Sequence, residues 1–321
     1  MTRSVLVTGG AGFIGSHVVD HFLAEGATVT VVDNLVTGRR SNLPAEADFR
    51  ELDIRAPETA ALIRDGQFDA IVHLAAQIDV RKSVADPMYD ASVNVLGTIN
   101  LLEAARAAGR RPRFIFSSTG GALYGEFVTP PSDEQTPKDP ESAYGVAKLA
   151  AEYYMAYFAR VQGVETVALR FGNVYGPRQD PHGEAGVVAI FCDRILMGRP
   201  LTIFGDGTQT RDYVYVGDVA RAAVAAASHA LPPMRQLDSR AFNIGTGVGT
   251  SVLELADTLK RAAGSETAIE HAEKRAGELQ ASVLDIAKAG SALGWRPEVS
   301  LSDGLAKTFA WFAARRSAQP A

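Results

Sequence analysis

Short apolar runs rich in β-branched residues alternate with longer amphipathic stretches through the first two thirds of the chain. The short runs predict buried strands, since a strand covered on both faces carries apolar side chains on both. The longer stretches predict helices. The predicted strands are Ser4–Thr8, Thr28–Asp33, Asp69–Leu74, Arg113–Ser117 and Glu165–Arg170, and the predicted helices are Gly12–Glu25, Ser92–Ala108 and Ala143–Gln162. This alternation predicts an α/β fold with a doubly wound parallel sheet.

The pattern changes near residue 175. Gly, Pro and Asp cluster in YGPRQDPHGEAG and again in FGDGTQTRDY, and two further helices are predicted over Val252–Ala263 and Leu301–Arg315. We therefore expect residues 1–175 to form the sheet domain. Residues 176–321 are expected to form mainly a smaller C-terminal lobe, with some segments returning to the sheet.

The composition is typical of a globular protein. The chain has 321 residues, 46% of them hydrophobic, so it can fill a sizeable core. Its formal net charge of −5 argues against a general binder of nucleic acid or membrane surfaces. The one cysteine, Cys192, is predicted to be a buried thiol and not a nucleophile. Because neither a signal-peptide core nor a run of about 18 apolar residues occurs, we expect a soluble, cytoplasmic protein.

A glycine-rich loop follows the first predicted strand. Gly9, Gly12 and Gly15 recur at intervals of three in TGGAGFIGS, where a helix is predicted to begin. Glycines here permit a tight turn and a close approach of the backbone to a pyrophosphate, and the helix N-terminus presents free N–H groups. The spacing is one residue wider than the G-x-G-x-x-G motif of Rossmann-type dinucleotide-binding domains.

An acidic residue at the end of the second predicted strand supports a dinucleotide site. Asp33 follows Gly15 by 18 residues, where a carboxylate can accept hydrogen bonds from the adenosine ribose. A carboxylate there repels a 2′-phosphate, so the sequence favours NAD over NADP. Arg39 and Arg40 lie close enough to leave NADP open, although a solvated pair of loop residues is the simpler interpretation.

A tyrosine and a lysine are the candidate catalytic pair. Tyr144 and Lys148 are four residues apart on one predicted helix, so they share a face. A nearby ammonium favours the phenolate, so we expect Lys148 to lower the pKa of Tyr144. With 9 Tyr in the chain, roughly 0.2 such spacings arise by chance. The hydroxyls of Ser117, Ser118 and Thr119 add support, because they follow a strand at the edge where α/β sheets bind ligands.

Six motifs, in this order along the chain, resemble those of the extended short-chain dehydrogenase/reductase family: TGGAGFIGS, HLAAQ, SSTGGALYG, YGVAK, RFGNVYGP and RDYVYVGDVA. The similarity runs from residue 3 to about residue 300. Within this family the chain is most similar to the NAD-dependent nucleotide-sugar epimerases of the UDP-glucose 4-epimerase type. The resemblance implies a UDP-hexose substrate (UDP-glucose or UDP-galactose), a transient 4-keto sugar, and NAD that is regenerated in each cycle.

The resemblance also implies roles for single residues. Tyr144 would be the base that removes the proton of the sugar 4-OH, Thr119 would share that hydrogen bond, and Lys148 would hold the nicotinamide ribose. The implied cofactor contacts are Gly9, Gly12, Phe13, Ile14, Gly15, Asp33, Asn34, Asp53, Ile54, Leu74, Ala75, Ala76, Asn94, Ser117, Tyr144, Lys148 and Phe171. The implied substrate contacts are Thr119, Tyr144, Asn173, Arg211, Arg275 and Glu278.

Two of these substrate contacts have structural alternatives. Arg211 is next to Asp212 and could form a salt bridge with it, and Asn173 could be a turn residue. The chemistry nevertheless suits the family's use, since guanidinium groups recognise phosphates through paired hydrogen bonds.

Two departures from the family bear on the reaction. Gly120 and Gly121 stand where related 4,6-dehydratases and decarboxylating enzymes carry acidic residues, which disfavours elimination. Ile78 stands where some epimerases have a lysine near the phosphates, and Arg81 or Lys82 is the candidate replacement.

Two positions bear on the sugar. Ser282 stands where some members have a bulky tyrosine beside the sugar C2, so an N-acetyl group has room. The loop around His182 supplies no additional arginine for a carboxylate at C6, and His182 itself is interpreted as a loop residue. UDP-glucose and UDP-galactose therefore rank first, UDP-N-acetylhexosamines second and UDP-glucuronate third.

A different class of function is a non-catalytic NAD sensor on the same fold. The intact Tyr144–Lys148 pair argues against it, and rapid NAD exchange would indicate it. A metal site is not expected, because the six histidines show no ligand spacing. The exposed aromatic residues expected on the predicted helix Ala143–Gln162 exceed what its own sheet can cover, so we expect a homodimer through this helix and Ser92–Ala108.

Overall fold

Thirteen strands and twelve helices are found in the described part of the chain; the computed structural model describes residues 3–182, 186–274 and 279–317. The strands are β1 (Ser4–Thr8), β2 (Thr28–Asp33), β3 (Asp48–Glu51), β4 (Ala70–His73), β5 (Arg113–Thr119), β6 (Thr166–Phe171), β7 (Asn173–Tyr175), β8 (Leu201–Phe204), β9 (Thr210–Tyr215), β10 (Ala241–Ile244), β11 (Gly249–Ser251), β12 (Ile269–Ala272) and β13 (Ala281–Ser282). The helices are α1 (Phe13–Ala24), α2 (Pro57–Asp65), α3 (Val80–Ala85), α4 (Pro87–Ala91), α5 (Gly97–Ala107), α6 (Gly120–Leu123), α7 (Ala143–Val161), α8 (Val187–Leu196), α9 (Val216–Ser228), α10 (Val252–Ala263), α11 (Ala287–Leu293) and α12 (Leu301–Ser317).

The main sheet has seven parallel strands in the order β10-β6-β5-β4-β1-β2-β3. The strand order reverses between β1 and β4, where Val5 pairs with Val29 on one side and Ala70 on the other. Ligands of doubly wound sheets bind at this switch point, outside the carboxyl ends of the strands. The predicted α/β class with a doubly wound parallel sheet is confirmed.

Helices cover both faces of this sheet, which explains why its strands are apolar on both sides. One face carries α1 and α9, whose buried residues include Val19, Phe22 and Ala223. The other carries α2, α5 and α7, which bury Leu101 and Met155 among others.

Two differences from the predicted elements have clear physical causes. The edge strand β3 has no fully buried residue, and its sequence DFRE lacks the apolar run by which the other strands were found. The predicted helix Ser92–Ala108 is a π-helical segment over Ser92–Leu96 that continues as α5.

A second, smaller group of elements follows β6. Strands β11, β9 and β13 form a sheet to which β7 is added, and β8 pairs with β12. Helices α8, α10 and α12 share a core with these strands, in which Cys192 is fully buried. The predicted burial of this thiol is confirmed, and burial raises its pKa to about 12. Helix α9 and strand β10 return to the main sheet, and the division at residue 175 stays a prediction.

None of the described helices is long and apolar enough to cross a membrane. Across the same residues, no group of three His, Cys, Asp or Glu side chains is arranged to hold a metal ion.

A buried histidine, His73, lies at the switch point and contacts side chains of β1 and α5. His73 lies 2.7 Å from the Thr8 hydroxyl through Nδ1 and 3.0 Å from that of Thr98 through Nε2. Because Thr98 donates its own proton to the Asn94 carbonyl, Nε2 of His73 is the donor in their contact. Burial, followed by the charge of Lys148, lowers the pKa of His73 to about 3.

This histidine predicts a loss of stability in mild acid. Below pH about 6.5 His73 is protonated in the unfolded state but stays neutral in the folded state, so the free energy of unfolding falls as the pH falls towards 3. Between pH 7.5 and pH 5, we expect the free energy of unfolding of His73→Gln to fall by about 2 kcal/mol less than that of the wild type, measured by urea unfolding. His271→Gln, at an exposed histidine, is the control. An unchanged loss in His73→Gln would show that this residue does not govern the acid response.

Candidate functional site

A cavity of about 720 Å³ opens at the carboxyl edge of the main sheet. It passes over the ends of β1, β2 and β4 and reaches the start of α7. Of the predicted cofactor contacts, the following line it: Gly9, Gly12, Phe13, Ile14, Gly15, Asp33, Asn34, Asp53, Ile54, Leu74, Ala75, Ala76, Ser117, Tyr144, Lys148 and Phe171. Asn94 lies one layer behind, where its amide oxygen accepts a hydrogen bond from the backbone N–H of Gln77.

The glycine loop is closed so tightly that side chains are excluded from it. Gly9 has φ +71°, and a Cβ on it would lie 2.5 Å from the backbone nitrogen of Ala75. A Cβ on Gly15 would lie 2.1 Å from the Gly9 carbonyl oxygen. The N-terminus of α1, which begins at Phe13, is thereby left bare at the cavity. Such a terminus is suited to a phosphate group, because its N–H groups and dipole attract anions.

Asp33 is held rigidly at the end of β2. Its two carboxylate oxygens accept hydrogen bonds from the backbone N–H groups of Ala11 and Leu35, at 3.0 and 2.8 Å. Burial raises its pKa, and these two hydrogen bonds oppose that shift. The side chain is therefore a fixed acceptor at the cavity wall, as the sequence predicted for a ribose contact.

The two arginines that left NADP open both have other partners. Arg39 forms a 2.8 Å ion pair with Asp180 from the loop after β7, and Arg40 lies 5.1 Å from the ring centroid of Phe49. The ion pair joins two segments that line the cavity. Neither arginine is therefore held ready for a 2′-phosphate beside Asp33.

Next to Asp33, Asn34 donates to Asp53, and Arg55 forms a 2.8 Å ion pair with Asp53. The hydrogen bond from Arg55 holds the pKa of Asp53 at about 2. This polar group lies at the end of the cavity away from α7.

Helix α7 brings the candidate catalytic pair to the opposite end of the cavity. The Ser142 hydroxyl caps the helix by accepting from the Gly145 N–H, and the Tyr144 N–H donates to Ser83 of α3. Lys148 donates from Nζ to the Ser117 carbonyl at 2.9 Å and lies 5.7 Å from the ring centroid of Tyr144. The predicted shared face is thus observed.

The expected lowering of the Tyr144 pKa is not found in the chain alone. Burial, and after it the negative charge of Asp90, raises the pKa of Tyr144 above its usual value. Burial also lowers the pKa of Lys148 to about 8, although Asp90 and Glu152 oppose this shift. The Lys148 ammonium donates to the Ser117 carbonyl, and burial is the largest cause of the raised Tyr144 pKa.

Of the predicted substrate contacts, Tyr144 lines the cavity, whereas Thr119, Asn173 and Arg211 are not among its lining residues. Thr119 caps α6 by accepting from the Ala122 N–H. A Cβ placed on Gly121 would lie 4.0 Å from the Thr119 hydroxyl and 3.8 Å from the Asn173 amide oxygen, so these two polar groups flank the same point. Arg211 lies half-buried on β9 and donates to the Thr210 carbonyl. The other two predicted contacts, Arg275 and Glu278, lie outside the described residues.

Several cavity residues were not predicted from the sequence. They include Asn42, Gln77, Arg178, Gln179 and Asp180. The last three belong to the Gly/Pro-rich segment that the sequence marks as a loop, which was the available signal. Ile78 and Lys82 both line the cavity, whereas Ser282 borders a small recess beside Gly120 and Gly121.

Comparison with known proteins agrees with this geometry. The family model described as the NAD dependent epimerase/dehydratase family matches residues 5–245. The chain belongs to this family. A UDP-glucose 4-epimerase from Mycolicibacterium smegmatis is 45% identical over 312 residues, covering 96% of this chain and 97% of the relative.

Two solved structures extend the likeness to the fold. A UDP-glucose 4-epimerase from Thermotoga maritima, solved with UDP-glucose, superposes with a TM-score of 0.92 at 46% identity and covers 99% of this chain and 100% of that one. A UDP-glucose 4-epimerase from Thermus thermophilus, solved with NAD, gives 0.88 at 44% identity over 97% and 99% of the two chains.

The closed glycine loop predicts that one methyl group will weaken NAD binding. In Gly15→Ala the new Cβ must push the Gly9 carbonyl away, which distorts the loop. We expect the Kd for NAD to rise at least about tenfold, or about 1.4 kcal/mol, in a calorimetric titration. Gly109→Ala is the matched control, because nothing lies within 4 Å of a Cβ there. Equal affinity in the two variants would refute a phosphate-binding role for this loop.

Proposed function

We propose that the chain is an NAD-dependent 4-epimerase of UDP-hexoses, acting on UDP-glucose and UDP-galactose. The observation that carries this proposal is the Tyr144–Lys148 pair, which lies at one end of a cavity whose other end has a glycine loop and a fixed aspartate. Family membership and full-length similarity to UDP-glucose 4-epimerases support it. A cytoplasmic location is proposed with it, since both NAD and UDP-sugars are cytoplasmic metabolites.

The cavity residues fit NAD. The bare N-terminus of α1 suits the pyrophosphate, Asp33 the adenosine ribose, and the region of Asp53 and Ile54 the adenine. Bound NAD would supply a reversible hydride acceptor for the sugar C4. Lys148 would hold the nicotinamide ribose, with the Ser117 carbonyl fixing its ammonium.

Tyr144 would move the proton of the sugar 4-OH. Its phenolate oxygen takes this proton when C4 is oxidised and returns it when the ketone is reduced from the other face. The hydroxyl of Thr119 would share the hydrogen bond to the sugar 4-OH. Because burial and Asp90 disfavour the phenolate in the chain alone, Tyr144 can act as the base only with added positive charge beside it, to which Lys148 and bound NAD would contribute.

The UDP group would extend beyond Thr119. Asn173 and Arg211 are proposed to contact it, together with Arg275 and Glu278. Asp212, next to Arg211, accepts hydrogen bonds from Thr246 at 2.7 Å and Gly247 at 3.0 Å, which commits this carboxylate to the loop after β10.

The residues after Thr119 argue against a dehydratase. A Cβ on Gly120 would lie 2.6 Å from a methyl group of Leu284, so a side chain at this position would require Leu284 to move. Gly121 is more open, but it contributes no acid. Elimination of water needs a group that moves a second proton on the sugar, and neither glycine supplies one.

The sugar is tested directly with three substrates. We expect UDP-galactose to be converted to its gluco epimer without net NADH, followed by NMR of the anomeric protons. Ser282, which is smaller than the tyrosine of some family members, makes UDP-N-acetylgalactosamine the second candidate, and UDP-galacturonate is the third. If none is converted in the presence of NAD, the proposed function is refuted.

Tyr144→Phe tests the proton step. The variant keeps the ring but loses the oxygen that exchanges the proton, so we expect kcat to fall by about 10²–10⁴-fold while the Kd for NAD stays the same. Tyr153→Phe, at an exposed tyrosine of the same helix, should retain full activity. Wild-type turnover in Tyr144→Phe would exclude it as the base.

We also propose a homodimer. Helix α7 leaves Tyr153, Tyr154 and Tyr157 exposed, and Leu96 at the start of the neighbouring α5 is 61% exposed. Helices α5 and α7 contact each other, so these side chains belong to one apolar face suited to a second copy of the chain.

A charge on this face should separate the two copies. We expect Tyr154→Glu to give the monomer mass in light scattering at micromolar concentration, because dimerisation would bury the new carboxylate. Val248→Glu, at an exposed residue outside this face, should keep the dimer mass. A monomeric wild-type protein would contradict the proposal.

A further inference from the structure

A fully buried carboxylate lies beside the catalytic helix. Asp90 belongs to α4, which is packed between α3, α7 and the π-helical segment that follows it. Its Oδ1 accepts hydrogen bonds from the side-chain amides of Gln77 and Asn94, both at 3.0 Å. Its Oδ2 is shielded from solvent and has no hydrogen-bond partner among the described residues. A buried carboxylate that is only half satisfied needs a compensating charge nearby.

Helix α7, which packs against α4, carries the candidate compensating charge. Lys148 is buried on the side of α7 that faces the site, and the field of Asp90 favours its ammonium form. The same field disfavours the phenolate of Tyr144. Asp90 therefore acts on both members of the catalytic pair through space.

Other charged groups around Asp90 do not replace this pairing. Glu152, from α7 itself, is negative and is bound to Arg170. His73 from β4 is held neutral by burial. Arg81 and Lys82 on α3 are exposed to solvent, and Lys82 lies over the Tyr89 ring at 4.5 Å.

Asp90 also fixes the wall of the cavity. The Asn94 side chain bridges Gln77, accepting from its backbone N–H and donating to its carbonyl, both at 2.9 Å. The carboxylate of Asp90 receives the second amide proton of Asn94, which sets the orientation of that amide. Gln77 lines the cavity directly after β4.

We propose that Asp90 is a positioning residue of the catalytic site: its carboxylate holds the Asn94 and Gln77 amides at the cavity and is the buried counter-charge of the Lys148 ammonium. The proposal rests on the proposed function, because the reaction needs Lys148 charged while Tyr144 is ionised. Asp90 favours the protonated forms of both groups, so it sets the pH range in which this combination exists.

Asp90→Asn is the direct test, since the amide keeps the shape and one acceptor oxygen but removes the charge. We expect both limbs of the pH profile of kcat/KM for UDP-galactose to move to lower pH, by about one unit. The two limbs together report the ionisations of Tyr144 and Lys148, and the charge of Asp90 raises both. Asp86→Asn, at the exposed cap of the same helix, should leave both limbs in place. A lower rate with unmoved limbs would assign Asp90 to the fold alone and overturn the proposal.

A double-mutant cycle in the free energy of unfolding tests the charge pair without the reaction. Lys148→Met should destabilise the protein by leaving Asp90 uncompensated, and adding Asp90→Asn should restore part of the loss. Strictly additive effects would overturn the pairing. The pairing would also be overturned if Asp90→Asn did not fold and adding Lys148→Met did not restore folding. A wild-type protein that converts no UDP-sugar refutes the proposed function, whereas this cycle still decides the role of Asp90.

Discussion

The guanidinium of Arg170 is fully buried under the active site, and its neutralisation ties the catalytic elements together. Glu152 of α7 pairs with it at 2.6 Å and Asp238 at 2.7 Å, while the Ser118 hydroxyl donates to Glu152 at 2.5 Å. A buried cation left without a partner costs about 3–5 kcal/mol, so none of these contacts is free to loosen. The end of β5, the middle of α7 and the turn Leu237–Arg240 are therefore held in one arrangement.

The spacing along α7 connects this ion pair to the chemistry. Tyr144, Lys148 and Glu152 are spaced four residues apart, so they share one face of the helix. This face extends from the cavity wall into the core. Fixing Glu152 with Arg170 fixes the rotation of the helix, and with it the positions of the other two side chains. Asp90, from the neighbouring helix α4, completes the set. The charges around Lys148 are thus set by helix packing and by the buried Glu152–Arg170 ion pair as well as by the residues of the cavity.

The features that the sequence predicted well depend on local constraints. β1 and β2 have the predicted bounds, because buried parallel strands leave continuous apolar runs. The glycine loop was predictable because Gly15 has no space for a side chain, and Asp33 because it ends a strand. The features that were missed depend on contacts between distant segments. Asp90, the Arg39–Asp180 ion pair and the raised pKa of Tyr144 all arise from burial and neighbours that no local spacing encodes.

The central claim is that one buried site oxidises and reduces the same carbon atom. Its most direct test is UDP-galactose carrying deuterium at C4, incubated with the protein and NAD in ordinary water and followed by NMR and mass spectrometry. We expect the gluco product to keep the deuterium at C4, because the hydride leaves and returns without exchange with solvent. Replacement of the deuterium by solvent hydrogen would contradict it, since it would mean that C4 is inverted through removal of a proton.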